Sequence, residues 1–240
     1  MSSEDLSRKK QEFNQAMSKY HHIKAYQRTY KLVSCINVTL QIILLYIVST
    51  LFIPLPWLIF VFLISYFITD FINGLVHLYM DNNDSYNSFV GVFIASFHLH
   101  HKTMEYKKSN IFLVYFNESG TKFWLVPYLV CVLLLSFTQI NEIVLSILIS
   151  VGILSSVAEV SHYLCHNSNS RFVKFLQDIG LLLSKKAHLR HHKYDNVQYA
   201  FLNGMSDVFI DKIAIKFYQG YKENSDRHYE SYSGQDTHNR

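Results

Sequence analysis

The chain has 240 residues, of which 50% are hydrophobic and 17% are charged, and its formal net charge is +4 at pH 7. This composition excludes a disordered chain, and the low charged fraction sets it apart from an ordinary soluble domain. The modest positive charge is interleaved with apolar runs. It therefore favours contacts with lipid phosphates and does not indicate a nucleic-acid partner.

In chain order, a polar segment of residues 1–30 precedes four long apolar runs. The runs are residues 33–53, 57–69 (continuing past Asp70 to Met80), 123–140 and 143–158. About 20 apolar residues cross a bilayer as a helix, so the sequence predicts an all-α, polytopic membrane protein with four transmembrane helices. The alternative is a soluble protein with buried core helices, but too little chain remains to cover four such runs.

The distribution of basic residues predicts the topology. The two short connections, 54–56 and 139–142, contain no Lys or Arg, so all 22 basic residues lie on the opposite side. The positive-inside rule assigns that side, with both termini, to the cytoplasm. The membrane would be the endoplasmic reticulum in a eukaryote and the inner membrane in a bacterium.

Nine of the 13 histidines occur in four clusters beside the apolar runs: residues 77–81, 98–101, 162–166 and 188–192. The topology predicts that all four meet at the cytoplasmic boundary, in a histidine-rich cap. Neutral imidazole binds iron, zinc and copper, and nine ligands are too many for one tetrahedral zinc and enough for two metals. The candidate ligands are His77, His98, His100, His101, His162, His166, His188, His191 and His192.

Spacing within the clusters supports metal binding, because helical residues four apart share a face. Three pairs have this spacing: His77 and Asp81, His162 and His166, and His188 and His192. Charged residues inside a span usually face the protein interior, so Asp70 and Glu159 are expected to contact ligand histidines. The alternative for each acid is an interhelical hydrogen bond. Four other histidines lack such neighbours and are predicted to be solvated: His21, His22, His228 and His238.

The order of these motifs resembles that of the Kua family of lipid desaturases. The likeness covers about residues 60–215 and rests on T-D-F-I-N-G-L-V-H (69–77), F-H-L-H-H (97–101), S-H (161–162) and F-L-Q-D (175–178) before H-L-R-H-H. The histidines that match family histidines are His77, His100, His101, His162, His188, His191 and His192. We accordingly expect a desaturase-like domain over residues 31–221, followed by a disordered polar tail over 222–240.

The resemblance implies a non-haem di-iron enzyme with two Fe ions and O2 as co-substrate. Such an enzyme puts a double bond into an acyl or alkyl chain of a membrane lipid. An external electron donor of the cytochrome b5 or ferredoxin type is implied as well. Two alternatives stay open: a lipid hydroxylase on the same scaffold, and a non-catalytic, metal-binding membrane relative.

The chain departs from the family at three histidine positions, which are Asn110, Ala158 and Ala187 here. Alanine has no ligand atom, whereas Asn110 has a carbonyl oxygen that can bind a metal. His166 lies one helical turn after His162, whereas Ala158 lies one turn before it, so the ligand can have moved along one face. The sequence therefore indicates either a remodelled di-iron site or a decaying one.

Overall fold

The computed structural model describes residues 2–102 and 108–232 of the chain. Over these residues the backbone forms α-helices, a 3-10 turn at Ser119–Thr121 and connecting loops, with no strand. The α-helices are α1 Ser3–His22, α2 Lys24–Ser49, α3 Leu55–Asn82, α4 Gly91–Lys102, α5 Ile111–Glu118, α6 Leu125–Leu135, α7 Glu142–Asn167, α8 Arg171–Asp178, α9 Lys185–Lys193, α10 Asp207–Phe217 and α11 Ser225–His228. The predicted all-α fold is confirmed for this part of the chain.

Three helices are long and apolar enough to cross a membrane. They are α2, α3 and α7, with 26, 28 and 26 residues and mean hydropathies of 2.1, 2.0 and 2.3. At a rise of 1.5 Å per residue each is about 40 Å long, which exceeds the roughly 30 Å hydrocarbon core of a bilayer. Leu45 and Tyr46 of α2 and Leu63 of α3 are exposed, as expected of lipid-facing surfaces. These lengths, hydropathies and exposed apolar side chains favour a membrane protein and make α2, α3 and α7 its candidate spans.

The predicted span at 123–140 differs from a single straight helix. Helix α6 has only 11 residues, and it passes as a span only together with the preceding stretch Ile111–Thr121, from which it is bent by 95°. At the bend, Gly120 lies directly against α2, where an added Cβ would come within 2.5 Å of Ser34 Oγ and 2.7 Å of the Tyr30 carbonyl oxygen. This close approach depends on tertiary packing, which the hydropathy of the run does not reveal.

Polar side chains join the helices inside the apolar bundle. The Gln41 amide of α2 donates to the Gly152 carbonyl and to Ser156 Oγ of α7, both at 2.9 Å. The Asn37 amide donates to the Ser119 carbonyl at 2.8 Å. The bilayer core has no water, so such hydrogen bonds supply partners for polar groups that would otherwise be unsatisfied. They also fix the relative positions of the helices.

Gly74 allows a loop to lie directly on α3. An added Cβ there would be 2.3 Å from Ile210 Cδ1 and 3.1 Å from Ala200 Cα, so no larger residue fits without movement of the backbone. Gly74 precedes His77 by one helical turn. The small residue therefore brings the segment 199–202 next to the C-terminal end of α3.

The ends of the described chain pack against each other. Phe13 of α1 is fully buried, and its ring lies 5.4 Å from that of Tyr86 and 5.7 Å from that of Tyr232, centroid to centroid. Residues 222–232, named here the C-terminal strap, bury Asp226 and His228. Where the sequence predicted a disordered tail from residue 222, the structure thus has a packed segment up to residue 232. The segment is ordered because it packs against α1, some 200 residues earlier in the chain. The composition of the tail does not predict this contact.

One histidine prediction is wrong because of this packing. His228 was expected to be solvated but is fully buried, and its Nδ1 lies 2.9 Å from the Tyr86 hydroxyl. His22 is exposed as expected. His238 and the rest of 233–240 lie outside the described residues.

Candidate metal centre

Seven histidines and one aspartate gather in two groups where the ends of α3, α4, α7 and α9 meet. Within each group, one ligand atom from every residue lies within 4.8 Å of the others. The first group is His100, His162, His166 and His188, and the second group is His77, Asp81, His101 and His191. The clusters that are separate in sequence therefore converge in space, as the topology predicted.

Helix geometry explains which residues enter each of the two groups. On α3 and α7 the paired ligands are four residues apart and face the same side. On α4, His100 and His101 are consecutive, and consecutive helical residues diverge by about 100°. His100 therefore enters the first group and His101 the second.

In the first group the imidazole nitrogens face one another. His188 Nε2 lies 2.8 Å from His162 Nε2, and His166 Nε2 lies 3.3 Å from the same atom. Burial, followed by the repulsion of neighbouring imidazoles, holds the pKa of His100 and of His188 well below the usual range. Both rings are therefore neutral near pH 7, which is the form that binds metal.

In the second group three imidazoles surround the Asp81 carboxylate. Its oxygens lie 3.5 Å from His77 Nε2, 3.2 Å from His101 Nε2 and 3.3 Å from His191 Nε2. Among the described residues, none of these buried atoms makes a well-aligned hydrogen bond. Leaving a carboxylate and three ring nitrogens buried in this way is costly, and one cation bound among them would satisfy all of them. This donor set therefore fits a metal ion.

Outer contacts orient the three histidines of the second group. The Nδ1–H group of His77 donates to the Tyr199 carbonyl at 2.7 Å, and that of His191 donates to the Val197 carbonyl at 3.1 Å. His101 Nδ1 instead contacts Asp226 Oδ1 at 2.9 Å. In each case the Nε2 lone pair is directed toward the group, the arrangement found around metal-binding histidines.

The pKa of His101 reflects the two carboxylates that flank it. Burial opposes a charge on the ring, but Asp81 and Asp226 outweigh burial and raise the pKa of His101 to about 9. The site therefore attracts positive charge at Nε2, whether it is carried by a proton or by a metal ion.

His192 lies between the groups. Its Nε2 is 2.9 Å from His188 Nε2, and its ring centroid is 4.9 Å from that of His100 and 5.1 Å from that of His101. The rings of His188 and His191, one from each group, are 5.6 Å apart. Two ions held by the two groups would therefore be close neighbours, as in a two-metal centre.

His98 lies apart from both groups. Its Nδ1 is 2.8 Å from the Tyr86 hydroxyl, and its Nε2 is 2.8 Å from the Met80 carbonyl oxygen. Both ring nitrogens are engaged, so His98 connects α4 to the end of α3. It is two residues from His100, and helical residues with that spacing point in different directions.

Of the four additional candidates, only Asp81 belongs to a group. Asp70 accepts hydrogen bonds from the backbone N–H groups of residues 202–204 and 206, and so it holds that loop. Glu159 forms an ion pair with the buried Lys122 at 2.9 Å. Asn110 is exposed and caps α5 by accepting from the Phe112 N–H at 2.9 Å.

The two alanines at which the sequence resemblance predicts histidines lie in one apolar cluster. Ala158 is fully buried there with Tyr66, Leu183 and Phe201, and Ala187 packs against the same cluster. His166, one turn after His162, is in the first group instead. The space that histidines would need at the alanine positions is thus occupied by apolar side chains.

The model of the family described as "Lipid desaturase domain" matches residues 66–222. The chain belongs to the lipid desaturase family. The matched segment contains every residue of both groups, whereas α1 and residues 223–232 lie outside it. Membership of the Kua-type subgroup stays a prediction. No curated protein and no solved structure matches the chain significantly.

Sequence reasoning missed the residues that orient the ligands. The Tyr199 and Val197 carbonyls carry no side-chain signal, and Asp226 lies in a polar segment 125 residues from His101. Asp81, by contrast, was named from the sequence, because it lies one helical turn after His77.

Proposed function

We propose that the chain is an iron- and O2-dependent desaturase that introduces a double bond into an acyl or alkyl chain of a membrane lipid. The observation that carries this proposal is the pair of adjacent, buried ligand groups at the ends of apolar helices, within a lipid desaturase domain. Imidazole-rich donor sets suit iron, among other metals. Two bound iron ions would supply the oxidising power, derived from O2, that removal of hydrogen from an unactivated C–H bond requires.

The overall reaction defines the partners that the enzyme needs. A –CH2–CH2– unit loses two hydrogen atoms and becomes –CH=CH–, while O2 takes up those two hydrogens, two further protons and two further electrons to give two water molecules. The chain has no sequence motif for a flavin or nicotinamide cofactor, so we assign the two electrons to an external donor of the cytochrome b5 or ferredoxin type.

The chain's own residues hold and shield the site. His77, Asp81 and the other members of the groups provide ligand atoms and exclude bulk water by their burial. The rings of Phe97 and Phe201 lie 5.3 and 5.6 Å from the His77 ring, centroid to centroid, and give the site an apolar wall. Such a wall suits an alkyl chain that enters from the bilayer.

Product analysis tests this function. The purified full chain, loaded with Fe2+, is incubated with phospholipid vesicles, O2 and a reductant, and the lipids are analysed by mass spectrometry. We expect a product that has lost two hydrogens. A product that has gained one oxygen instead would identify a hydroxylase. If neither product forms although the iron is bound, the chain is a non-catalytic metal-binding relative.

We also propose that the metal centre and both termini are cytoplasmic, which the one-sided distribution of Lys and Arg supports. After replacement of the three native cysteines by serine, Asn141→Cys reports on one side and Ser170→Cys on the other. In sealed vesicles with the cytoplasmic face outward, an impermeant maleimide should label Ser170→Cys at once and Asn141→Cys only after permeabilisation. The reverse pattern would refute this topology.

A further inference from the structure

We propose that Asp226 is a positioning residue for the metal centre and acts through His101. It reaches the site from the C-terminal strap, which extends past the end of the family-matched domain at residue 222. This inference rests on the metal binding in the proposed function. It assigns a role to a segment that the family match does not cover.

The contact between Asp226 and His101 has the features of an orienting hydrogen bond. The His101 Nδ1–H group donates to Asp226 Oδ1 at 2.9 Å, while Asp226 Oδ2 accepts from Lys222 Nζ at 2.7 Å. Asp226 is 9% exposed, so the contact is shielded from water. A proton held at Nδ1 leaves the Nε2 lone pair of His101 free to face the second group.

His101 differs from its neighbours in the kind of partner that it has. His77 and His191 donate to backbone carbonyls, which belong to the family-matched domain. His101 donates to a carboxylate. A charged acceptor makes a stronger hydrogen bond and raises the basicity of the imidazole more than a neutral carbonyl does. The strap therefore adjusts the one histidine of the second group that lacks a backbone acceptor for Nδ1.

Several contacts keep Asp226 in position. The Ser225 hydroxyl donates to the Asp81 carbonyl, and His228 Nδ1 lies 2.9 Å from the Tyr86 hydroxyl. Lys10 of α1 forms an ion pair with Glu230 at 2.7 Å. Segments before and after the matched domain thus contact each other beside α4, which places Asp226 next to His101.

The test measures metal affinity directly. Co2+ is titrated into metal-free, detergent-purified full chain, and binding is followed by the visible absorption spectrum in competition with a chelator. Each of the two groups is expected to bind one Co2+ ion. We expect Asp226→Ala to weaken the affinity for one of these two ions by about 10- to 100-fold. Asp226→Asn keeps an acceptor oxygen but loses the charge, so its affinity should fall less. Glu223→Gln is the control: it removes the charge of a strap carboxylate that is 91% exposed and pairs with Arg227 at 3.7 Å, and it should bind Co2+ as the wild type does.

A double-mutant cycle separates positioning from a general loss of structure. In a His101→Ala background, Asp226→Ala should cause no further loss, because Asp226 has no ligand left to orient. An equal loss in both backgrounds, or a wild-type affinity in Asp226→Ala, overturns the proposal. If Asp226→Ala does not fold, a wild-type affinity of Asp226→Asn overturns it. If the wild type itself binds neither Co2+ nor Fe2+, the proposed function fails and this inference fails with it.

Discussion

Replacing Asp81 by alanine is expected to abolish desaturation and to remove the metal held by the second group. Asp81 is fully buried and contacts all three histidines of that group through its carboxylate. Its loss leaves three imidazoles without their anionic co-ligand. Because changes to residues that merely orient a ligand already cost about 10- to 100-fold, we expect at least a 100-fold loss of turnover. Metal content per chain and product formation are the two measurements.

Asp84 provides the matched control for Asp81. It is an aspartate three residues further along, and it forms an ion pair with Lys9 at 3.2 Å, outside both groups. Asp84→Ala should keep its full metal content and its turnover. If Asp81→Ala retained the metal content and rate of the wild type, the second group would not be a metal site.

Replacing His166 by alanine is expected to cost as much activity and metal as replacing His162. The two residues occupy the first group together, with their Nε2 atoms 3.3 Å apart. Glu159 is the competing candidate on the same helix, but its carboxylate faces Lys122. Glu159→Gln should therefore keep its metal, although the buried Lys122 then loses its charged partner. If Glu159→Gln lost metal while His166→Ala kept its metal content and activity, Glu159 and not His166 would be the ligand in the first group.

The structure also predicts the outcome of moving the ligand back to the family position. Spacing alone suggests that Ala158→His combined with His166→Ala recovers part of the loss, since both positions lie one turn from His162. However, Ala158 is fully buried among Leu183 and Phe201. Inserting an imidazole there overpacks the cluster, at a typical cost of about 1–3 kcal/mol. We therefore expect little recovery in metal content or turnover from the double variant.

The convergence of the histidine clusters was predictable because it follows from where the apolar runs end. If the apolar runs cross a bilayer, His77, His162 and His188 all lie near the same membrane surface. The pairing of His77 with Asp81 and of His162 with His166 follows from helical periodicity. The same periodicity separates His98 from His100, so the exclusion of His98 was also within reach of the sequence.

Other features depend on contacts that no local pattern encodes. The bend before α6 arises where Gly120 touches α2, and the order of the strap arises where Tyr232 meets Phe13. The pairing of Glu159 with Lys122 joins α7 to the loop that precedes α6. Asp226 and His101 are brought together only by the packing of the chain ends.

Metal analysis of the purified, full-length protein tests the central claim most directly. Elemental analysis of the iron-loaded protein should find two iron ions per chain, one for each group, and His188→Ala should reduce this content while His22→Ala, an exposed histidine, should not. A wild-type protein that binds no iron, or whose iron content is unchanged in His188→Ala, would contradict the account.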